Sequence, residues 1–351
     1  METGIHGEDI QMELSGIFEL QQRHAPKCKR SSSGERIRQL RRLEDYILNE
    51  AKMEGLFQAM YKDFRKPKAE VLLSEITVVL QHIRHTRKHL RRWMQPRRTA
   101  TPLMLFGVSS AVHYEAKGTC LILSPWNYPF NLTFSPLVDA LAAGNTVIIK
   151  PSEISSHTSR FIRKVVEDLF PPEEVAVAEG DVHVAQALLE LPFDHVFFTG
   201  SPQVGKLVMA AAAKNLASVT LELGGKSPAI IDDTADLKAQ ALRLAWGKGL
   251  NKGQTCIAPD YVLVQESQKE AFVEAYKQAI QTLYPAENLA QSPDYPRIIN
   301  QRNFRRLRKL YEDAIAQGAK EVIGGTWNET DLFIPPTVLA DADLEMAIME
   351  E

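Results

Sequence analysis

The stretch TCLILSPWNYPFNLTFSPLVDALAAGNTVIIKPSE, residues 119–153, holds two short apolar runs, TCLILS at 119–124 and NTVIIK at 145–150, with a helix-like segment near 132–142 between them. Buried-type runs of strand length joined by a helix read as a βαβ unit with parallel strands. The pattern continues with EVAVA at 174–178, DHVFF at 194–198 and SVTLE at 218–222, separated by helix-like segments near 156–169, 182–190 and 203–214. The alternation predicts a doubly wound, Rossmann-type parallel sheet, in which ligands collect beyond the carboxyl ends of the strands.

Upstream of this core, residues 1–33 read as mixed in composition, with a break at Ser31-Ser32-Ser33-Gly34. Segments 35–62 and 68–94 read as helices, with Leu40, Leu43, Tyr46 and Ile47 on one face of the first. HIRHTRKHLRRWMQPRR at 82–98 is strongly basic; a solvated helix face is favoured over a phosphate-binding patch, and Pro96 should end that helix. Segment 99–118 alternates around Gly107 and reads as a β-hairpin or extended arm whose edges can pair with another chain. Downstream, after Gly224-Gly225, a second series begins: IIDD at 230–233, a helix near 235–249, a strand at 260–265, helices at 267–282 and near 300–317, and strand-like pieces at 320–323 and 332–339. The expected architecture is α/β: a cofactor domain over 1–222 (helices 35–94, arm 99–118, core 119–222) and a second α/β domain over 223–351.

The chain has 351 residues, 44% hydrophobic and 24% charged, which suits a soluble protein with a full core. Its formal net charge of −3 argues against whole-chain attraction to nucleic acid. Three cysteines form no disulfide framework and suit a reducing, cytoplasmic compartment. The acidic N-terminal METGIHGEDIQMEL does not read as a signal peptide. The uncharged run between Lys117 and Asp139 contains Pro125, Pro129 and Pro136 and does not read as a membrane span. No residue pattern calls for a metal.

Two short segments carry the chemistry. LELGGKSP at 221–228 sets a carboxylate, Glu222, before a Gly-Gly turn, and GQTCIAP at 253–259 sets Cys256 in a small-residue loop. A lone cysteine is usually a small buried hydrophobe, and Cys28 and Cys120 keep that reading. Cys256 sits in a turn-rich segment, not an apolar periodic run, and is the candidate nucleophile. Glu222 is the candidate general base; a carboxylate between Leu221 and Leu223 is expected to be half-buried, which would raise its pKa toward a range useful for activating water. Asn127, in SPWNYPF at 124–130, is a good turn asparagine in isolation; with Cys256 and Glu222 it becomes an oxyanion donor beside the Cys256 backbone N–H. FTGSPQVGK at 198–206 has the spacing Gly200-x-x-x-x-Gly205, neither a G-x-G-x-x-G fingerprint nor a P-loop. Its Ser201 suits either a pyrophosphate at a helix N-terminus or a plain helix cap. Lys150 and Glu153 end the second strand of the series, where an acidic residue can bind a ribose; taken alone, a solvated loop is the favoured reading.

Taken together and in this order, these segments resemble the aldehyde dehydrogenase superfamily from about residue 35 to the last residue. WNYPFNLT and GQTCIAPDY look most like its class 3-like branch. The resemblance implies a five-stranded variant of the dinucleotide fold and NAD as cofactor, with NADP possible. It implies oxidation of an aldehyde to a carboxylic acid through a thiohemiacetal and a thioester on Cys256, with Glu222 activating water. It places Lys150 and Glu153 at the adenosine ribose, Ser201 at the pyrophosphate, Trp126 near the cofactor, the Leu223 backbone near the carboxamide, and Glu351 at the nicotinamide ribose. Tyr128 is placed at the substrate entrance, with medium-chain aliphatic or aromatic aldehydes as substrates and a homodimer as the assembly of a member whose C-terminus is complete. In family members the segment resembling MEE at 349–351 continues into an E-I-F-G-P motif, so the resemblance implies a C-terminally truncated member. A coenzyme A-acylating relative, which tends to lack a base such as Glu222, and a cofactor-binding protein without catalysis remain as alternatives. A nucleic-acid role for 82–98 is a more distant one.

Overall fold

The computed structural model describes residues 2–285 and 289–350, with side chains from residue 11 onward. The chain divides into two compact units, one of Met1–Gly55 and Leu73–Glu222, the other of Leu56–Leu72 and Leu223–Glu351.

In the first unit a short hairpin pairs β1 (Arg97–Thr99) with β2 (Ser110–Val112). The main sheet contains β3 (Thr119–Leu123), β4 (Thr146–Lys150), β5 (Val175–Val177), β6 (His195–Gly200) and β7 (Ser218–Leu223), in the order β5-β4-β3-β6-β7. β3 runs parallel to both β4 and β6, and β4 to β5. Every residue of β3 and β4 is buried, as the unbroken apolar runs require when both faces of a parallel sheet are covered. Helix Asn131–Ala143 packs on both strands and ends at Gly144, whose φ of 86° closes a left-handed cap that residues with a Cβ adopt only under strain.

Residues 1–33, read as mixed from the sequence, are instead dominated by helix Glu2–Lys29. Leu14, Phe18, Gln21 and Ala25 are buried at helical spacing along one face. Gln21 is fully buried, and its side-chain nitrogen donates to the carbonyls of Val147 and Pro172, both at 2.9 Å. Segment 35–62 is two helices, Ser33–Ile47 and Glu50–Phe64. Ser32 and Glu35 form a reciprocal capping box on the former, and Asn49 accepts from the Lys52 N–H at the start of the latter. The basic segment forms helix Thr77–Trp93, which buries Val79, Ile83, Thr86 and Leu90 and turns its charges outward; Arg84 and Arg87 pair with Glu44.

In the second unit β8 (Ser227–Ile231) runs parallel to β9 (Pro259–Val264). Helices Leu237–Gly249 and Lys269–Leu283 bury Ala241, Ala245, Phe272 and Ala279 against Ile231. Helix Gln301–Ala316, capped by Asn300, precedes an antiparallel pair, β10 (Lys320–Ile323) and β11 (Val338–Ala340). The strand expected over 332–339 is confined to β11 at its end and a single bridge, Asn328 to Phe333, because Pro335 and Pro336 offer no N–H to a ladder. Leu56–Leu72, expected with the N-terminal helices, groups with this unit: Arg297 N–H donates to the Phe64 carbonyl (2.9 Å), and Arg65 pairs with Asp331 (2.9 Å).

Among the described residues no helix is long and apolar enough to cross a membrane, and no group of three or more His, Cys, Asp or Glu is placed to hold a metal ion.

Candidate active site

The chain leaves β3 for β4 and β5 on one side and returns to β6 on the other, so the topological switch point of the first unit lies between β3 and β6. Beyond their carboxyl ends lie Ser124–Asn127 and Thr199–Ser201. The register pairs Leu123 with Phe198, which brings Ser124 beside Thr199. Both side-chain oxygens are buried, and neither has a hydrogen-bond partner in the protein. Buried hydroxyls are nearly always paired, so two adjacent orphans at the switch point fit a polar ligand such as a dinucleotide. The sequence reading singled out neither residue; their position one residue past, or at the end of, an apolar run was the available signal. If they serve the cofactor, Thr199→Val should weaken NAD binding about fivefold to tenfold. Its melting temperature should stay the same or rise, since no protein hydrogen bond is lost. A fluorescence titration beside a thermal melt separates the two; a lower melting temperature with unchanged affinity would overturn the assignment.

The neighbouring residues frame the same end of the sheet. Ser124 N–H donates to the Lys150 carbonyl at 3.1 Å, tying the loop after β3 to the end of β4. Lys150 is 5% exposed and ion-paired with the exposed Glu153, so a donor and an acceptor stand together at the strand end. Ser201 caps helix Pro202–Ala213, accepting from the Val204 N–H at 3.4 Å, and Gly205 N–H donates to the Ser201 carbonyl at 2.9 Å. The cap reading of Ser201 is therefore realised, and the same N-terminus presents the positive end of a helix dipole to an anion. A Cβ on Gly200 would lie 2.4 Å from the ring of Phe198, so this turn admits no side chain without displacing the ring. Trp126 and Asn127 are half-buried. Asn127 Oδ1 accepts from the Tyr128 N–H at 3.0 Å. Tyr128, expected at an entrance, is itself buried.

Glu222 departs from expectation: it is exposed rather than half-buried. The order of the sheet ends on β7, and an edge strand is covered less completely than β3 or β4.

In the second unit Asn251 and Lys252 both lie in left-handed backbone, at φ 50° and 62°, and Gly253 follows at φ 73°. Left-handed backbone costs an L-residue roughly 1–2 kcal/mol, and it persists where neighbouring contacts over-determine the chain. Asn251 N–H donates to Glu70 Oε2 at 2.8 Å. Asn251 Nδ2 donates to the Gln254 carbonyl at 3.2 Å. Gln254 Nε2 donates to the carbonyls of Asn251 and Arg297, both at 3.0 Å, while its Oε1 accepts from the Ile299 N–H at 3.0 Å. The Lys252 amine hydrogen-bonds the Tyr295 hydroxyl and lies 4.1 Å from the centre of its ring. Burial, reinforced by the positive charges of Arg297 and Lys248, holds that amine well below its ordinary pKa.

This turn delivers Cys256. Ala258 N–H donates to the Thr255 carbonyl at 3.1 Å, closing a β-turn with Cys256 and Ile257 at its centre. The thiol is half-buried. Parallel pairing sets Ser227 opposite Pro259, so the residues before each strand run side by side. A Cβ on Gly225 would lie 4.0 Å from the Cys256 carbonyl oxygen. The Gly-Gly turn that follows Leu223 therefore flanks the cysteine loop. Lys226 reinforces the arrangement, pairing with Asp260 and donating to the Ile348 carbonyl at 2.8 Å. The other two thiols are unsuited to thiolate chemistry at neutral pH: burial pushes Cys28 up to about 11 and Cys120 up to about 12. The site residues thus fall into two groups. Trp126, Asn127, Lys150, Glu153, Gly200 and Ser201 share one end of the first unit's sheet; Leu223 leads into the turn that flanks Cys256 in the second. Glu351 lies outside the described residues.

Comparison with known proteins identifies the family. The aldehyde dehydrogenase family model matches residues 11–351. AldX of Bacillus subtilis, whose name places it among aldehyde dehydrogenases, is 42% identical over 98% of this chain and 77% of its own length. The mouse (Mus musculus) aldehyde dehydrogenase named dimeric NADP-preferring is 40% identical over 90% of this chain and 68% of its own. The substrate-bound structure of Staphylococcus aureus AldH superposes with a TM-score of 0.90 at 40% identity, covering 96% of this chain and 72% of that one. A family model matched along nearly the whole chain, a relative 42% identical over 98% of it, and the five-stranded parallel sheet lead to one conclusion: the chain belongs to the aldehyde dehydrogenase family.

Proposed function

We propose that this chain oxidises an aldehyde to a carboxylic acid with a nicotinamide dinucleotide, using Cys256 as nucleophile, Asn127 as oxyanion donor and Glu222 as general base. The observation that carries the reading is the strained, multiply clamped turn at 251–253 that sets Cys256 beside the glycine turn following Glu222. Covalent reach alone keeps Glu222 within roughly 11 Å of Gly225. The exposed position of Glu222 gives it access to water.

The Cys256 sulfur attacks the carbonyl carbon, and the carbonyl oxygen takes the negative charge. The Asn127 NH₂ and the Cys256 backbone N–H stabilise that oxyanion. The cofactor, when bound, supplies the hydride acceptor. After hydride loss the carbon is held as a thioester on Cys256. Glu222 then takes a proton from water, hydroxide adds to the thioester, and the thiolate leaves, giving the acid. Ser124, Thr199, Lys150, Glu153 and the N-terminus capped by Ser201 supply donors and acceptors for the dinucleotide. The Glu153 carboxylate at the ribose would repel a 2′-phosphate, which favours NAD over NADP. Glu222 also favours hydrolysis over acyl transfer to coenzyme A. We assign medium-chain aliphatic or aromatic aldehydes as substrates, with the free cysteines suiting a reducing, cytoplasmic setting.

The test is NADH formation by the purified chain with NAD and a medium-chain aldehyde. Aldehyde-dependent NADH with release of the acid supports the reading; no turnover with either NAD or NADP overturns it.

We also assign a homodimer, on the apolar arm. Leu103, Met104 and Phe106 are 88%, 97% and 92% exposed around the tip of the β1–β2 hairpin. Clustered side chains of this size left in water mark an interaction surface. Met104→Asp with Phe106→Asp should convert the dimer to monomer in sedimentation equilibrium, with little change in melting temperature at low concentration. A wild-type chain that sediments as a monomer would remove the assignment.

A further inference from the structure

We infer that Glu70 is a positioning residue for the nucleophile loop: its carboxylate, contributed from 181 residues earlier in the chain, holds the backbone N–H of Asn251 at the start of the left-handed turn that carries Cys256. The inference rests on the proposed role of Cys256.

The need for such a group follows from the backbone. Helix Leu237–Gly249 ends, Leu250 is extended at φ −53° and ψ 130°, and Asn251 then turns left-handed. That sequence of dihedrals takes the Asn251 N–H off the helical ladder. Asn251 is completely buried, so water is not available to it either. A buried N–H without an acceptor is strongly disfavoured, and a Glu70 oxygen accepts from this one at 2.8 Å. Remove it, and the chain gains by relaxing toward right-handed backbone. Because Gln254 bonds back to the Asn251 carbonyl, that relaxation would move Gln254 and, two residues on, Cys256. The clamp is thus two-sided: Glu70 fixes where the turn begins, and Gln254, held by Arg297 and Ile299, fixes where it ends.

Glu70 is also poised electrically. Burial pushes its carboxyl up to about 7, against the Asn251 N–H and the Lys66 ammonium, which favour the charged form, and with Asp294, which opposes it. Tyr284 faces it as well, its hydroxyl pushed up to about 12, chiefly by burial and further by Glu70. The ionised carboxylate is the stronger acceptor, so the clamp tightens as pH rises through neutrality.

The test reads Cys256 directly, without turnover. Iodoacetamide alkylation at Cys256 is followed by peptide mass spectrometry from about pH 6 to about pH 9, in wild type, Glu70→Gln and Glu70→Ala, with thermal melts alongside. Glu70→Gln keeps an acceptor of the same shape but cannot ionise. It should hold the Cys256 rate within about threefold of wild type and lose the inflection near neutral pH. Glu70→Ala should change the rate by about tenfold or more and lower kcat with little change in the KM for NAD. Should Glu70→Ala fail to fold, the pH profile of Glu70→Gln still decides. A Gln profile identical to wild type, or a Gln variant as altered as Ala, overturns the inference. Because alkylation needs neither aldehyde nor cofactor, absence of turnover in wild type would count against the proposed function and leave this result to be read separately.

Discussion

Replacing Cys256 by alanine is expected to lower aldehyde-dependent NADH formation by about four orders of magnitude or more, while NAD binding stays within about twofold of wild type. The asymmetry follows from where the residues lie. The candidate cofactor groups Lys150, Glu153, Thr199 and Ser201 belong to the first unit, whereas Cys256 belongs to the second. Loss of a sulfhydryl at a half-buried turn position removes little packing, so a large rate effect cannot be ascribed to unfolding. Cys28 and Cys120 offer no substitute nucleophile, since burial keeps both thiols protonated at neutral pH. The comparison requires NADH formation and tryptophan-fluorescence titration on the same preparations. Residual turnover above about one hundredth of wild type would sink the role of Cys256.

Glu222→Gln is expected to separate the two halves of the reaction. Attack and hydride loss need no general base acting on water, so a burst of about one NADH per active site should survive. Hydrolysis of the thioester does need one, and steady-state turnover should fall about 10²-fold to 10⁴-fold. Glu222 is exposed at the end of an edge strand, so the amide replacement should change stability by no more than about 0.5 kcal/mol. Rapid-quench detection of the acyl-enzyme, beside the NADH trace, reads both phases. Steady-state acid production at the wild-type rate would show that another group activates water. Loss of the burst as well would move Glu222 into the first half of the reaction.

Much of the fold was legible in the chain. The apolar runs beginning at Thr119, Asn145, Glu174, Asp194 and Ser218 each became a strand of one sheet, with boundaries displaced by no more than two residues. β3 and β4 were the most legible, because a strand buried on both faces must be apolar throughout, a constraint written into five consecutive residues. The same holds for Leu40, Leu43, Tyr46 and Ile47, whose shared burial follows from helical period alone. Tyr128 shows the limit: the resemblance placed it at a substrate entrance, but what covers it was set by the fold around it, and it is buried.

What the chain determined by itself was therefore local: the βαβ alternation, the turn chemistry of the Gly-Gly and Gly-Gln-Thr-Cys segments, and the family to which those motifs belong. Only the tertiary structure decided that residues 2–29 form a helix pinned to the sheet through Gln21, that Leu56–Leu72 joins the second unit, that Glu222 is exposed, and that Ser124 and Thr199 meet as unpartnered hydroxyls. It alone placed Glu70 on the N–H of Asn251, 181 residues away. The physical reason is one of range. Periodicity and turn preference act over a few residues and repeat along the chain, so a short window contains them. Burial, orphaned polar groups and clamps between distant segments depend on which surfaces dock together, and no window of sequence contains both sides of such a contact.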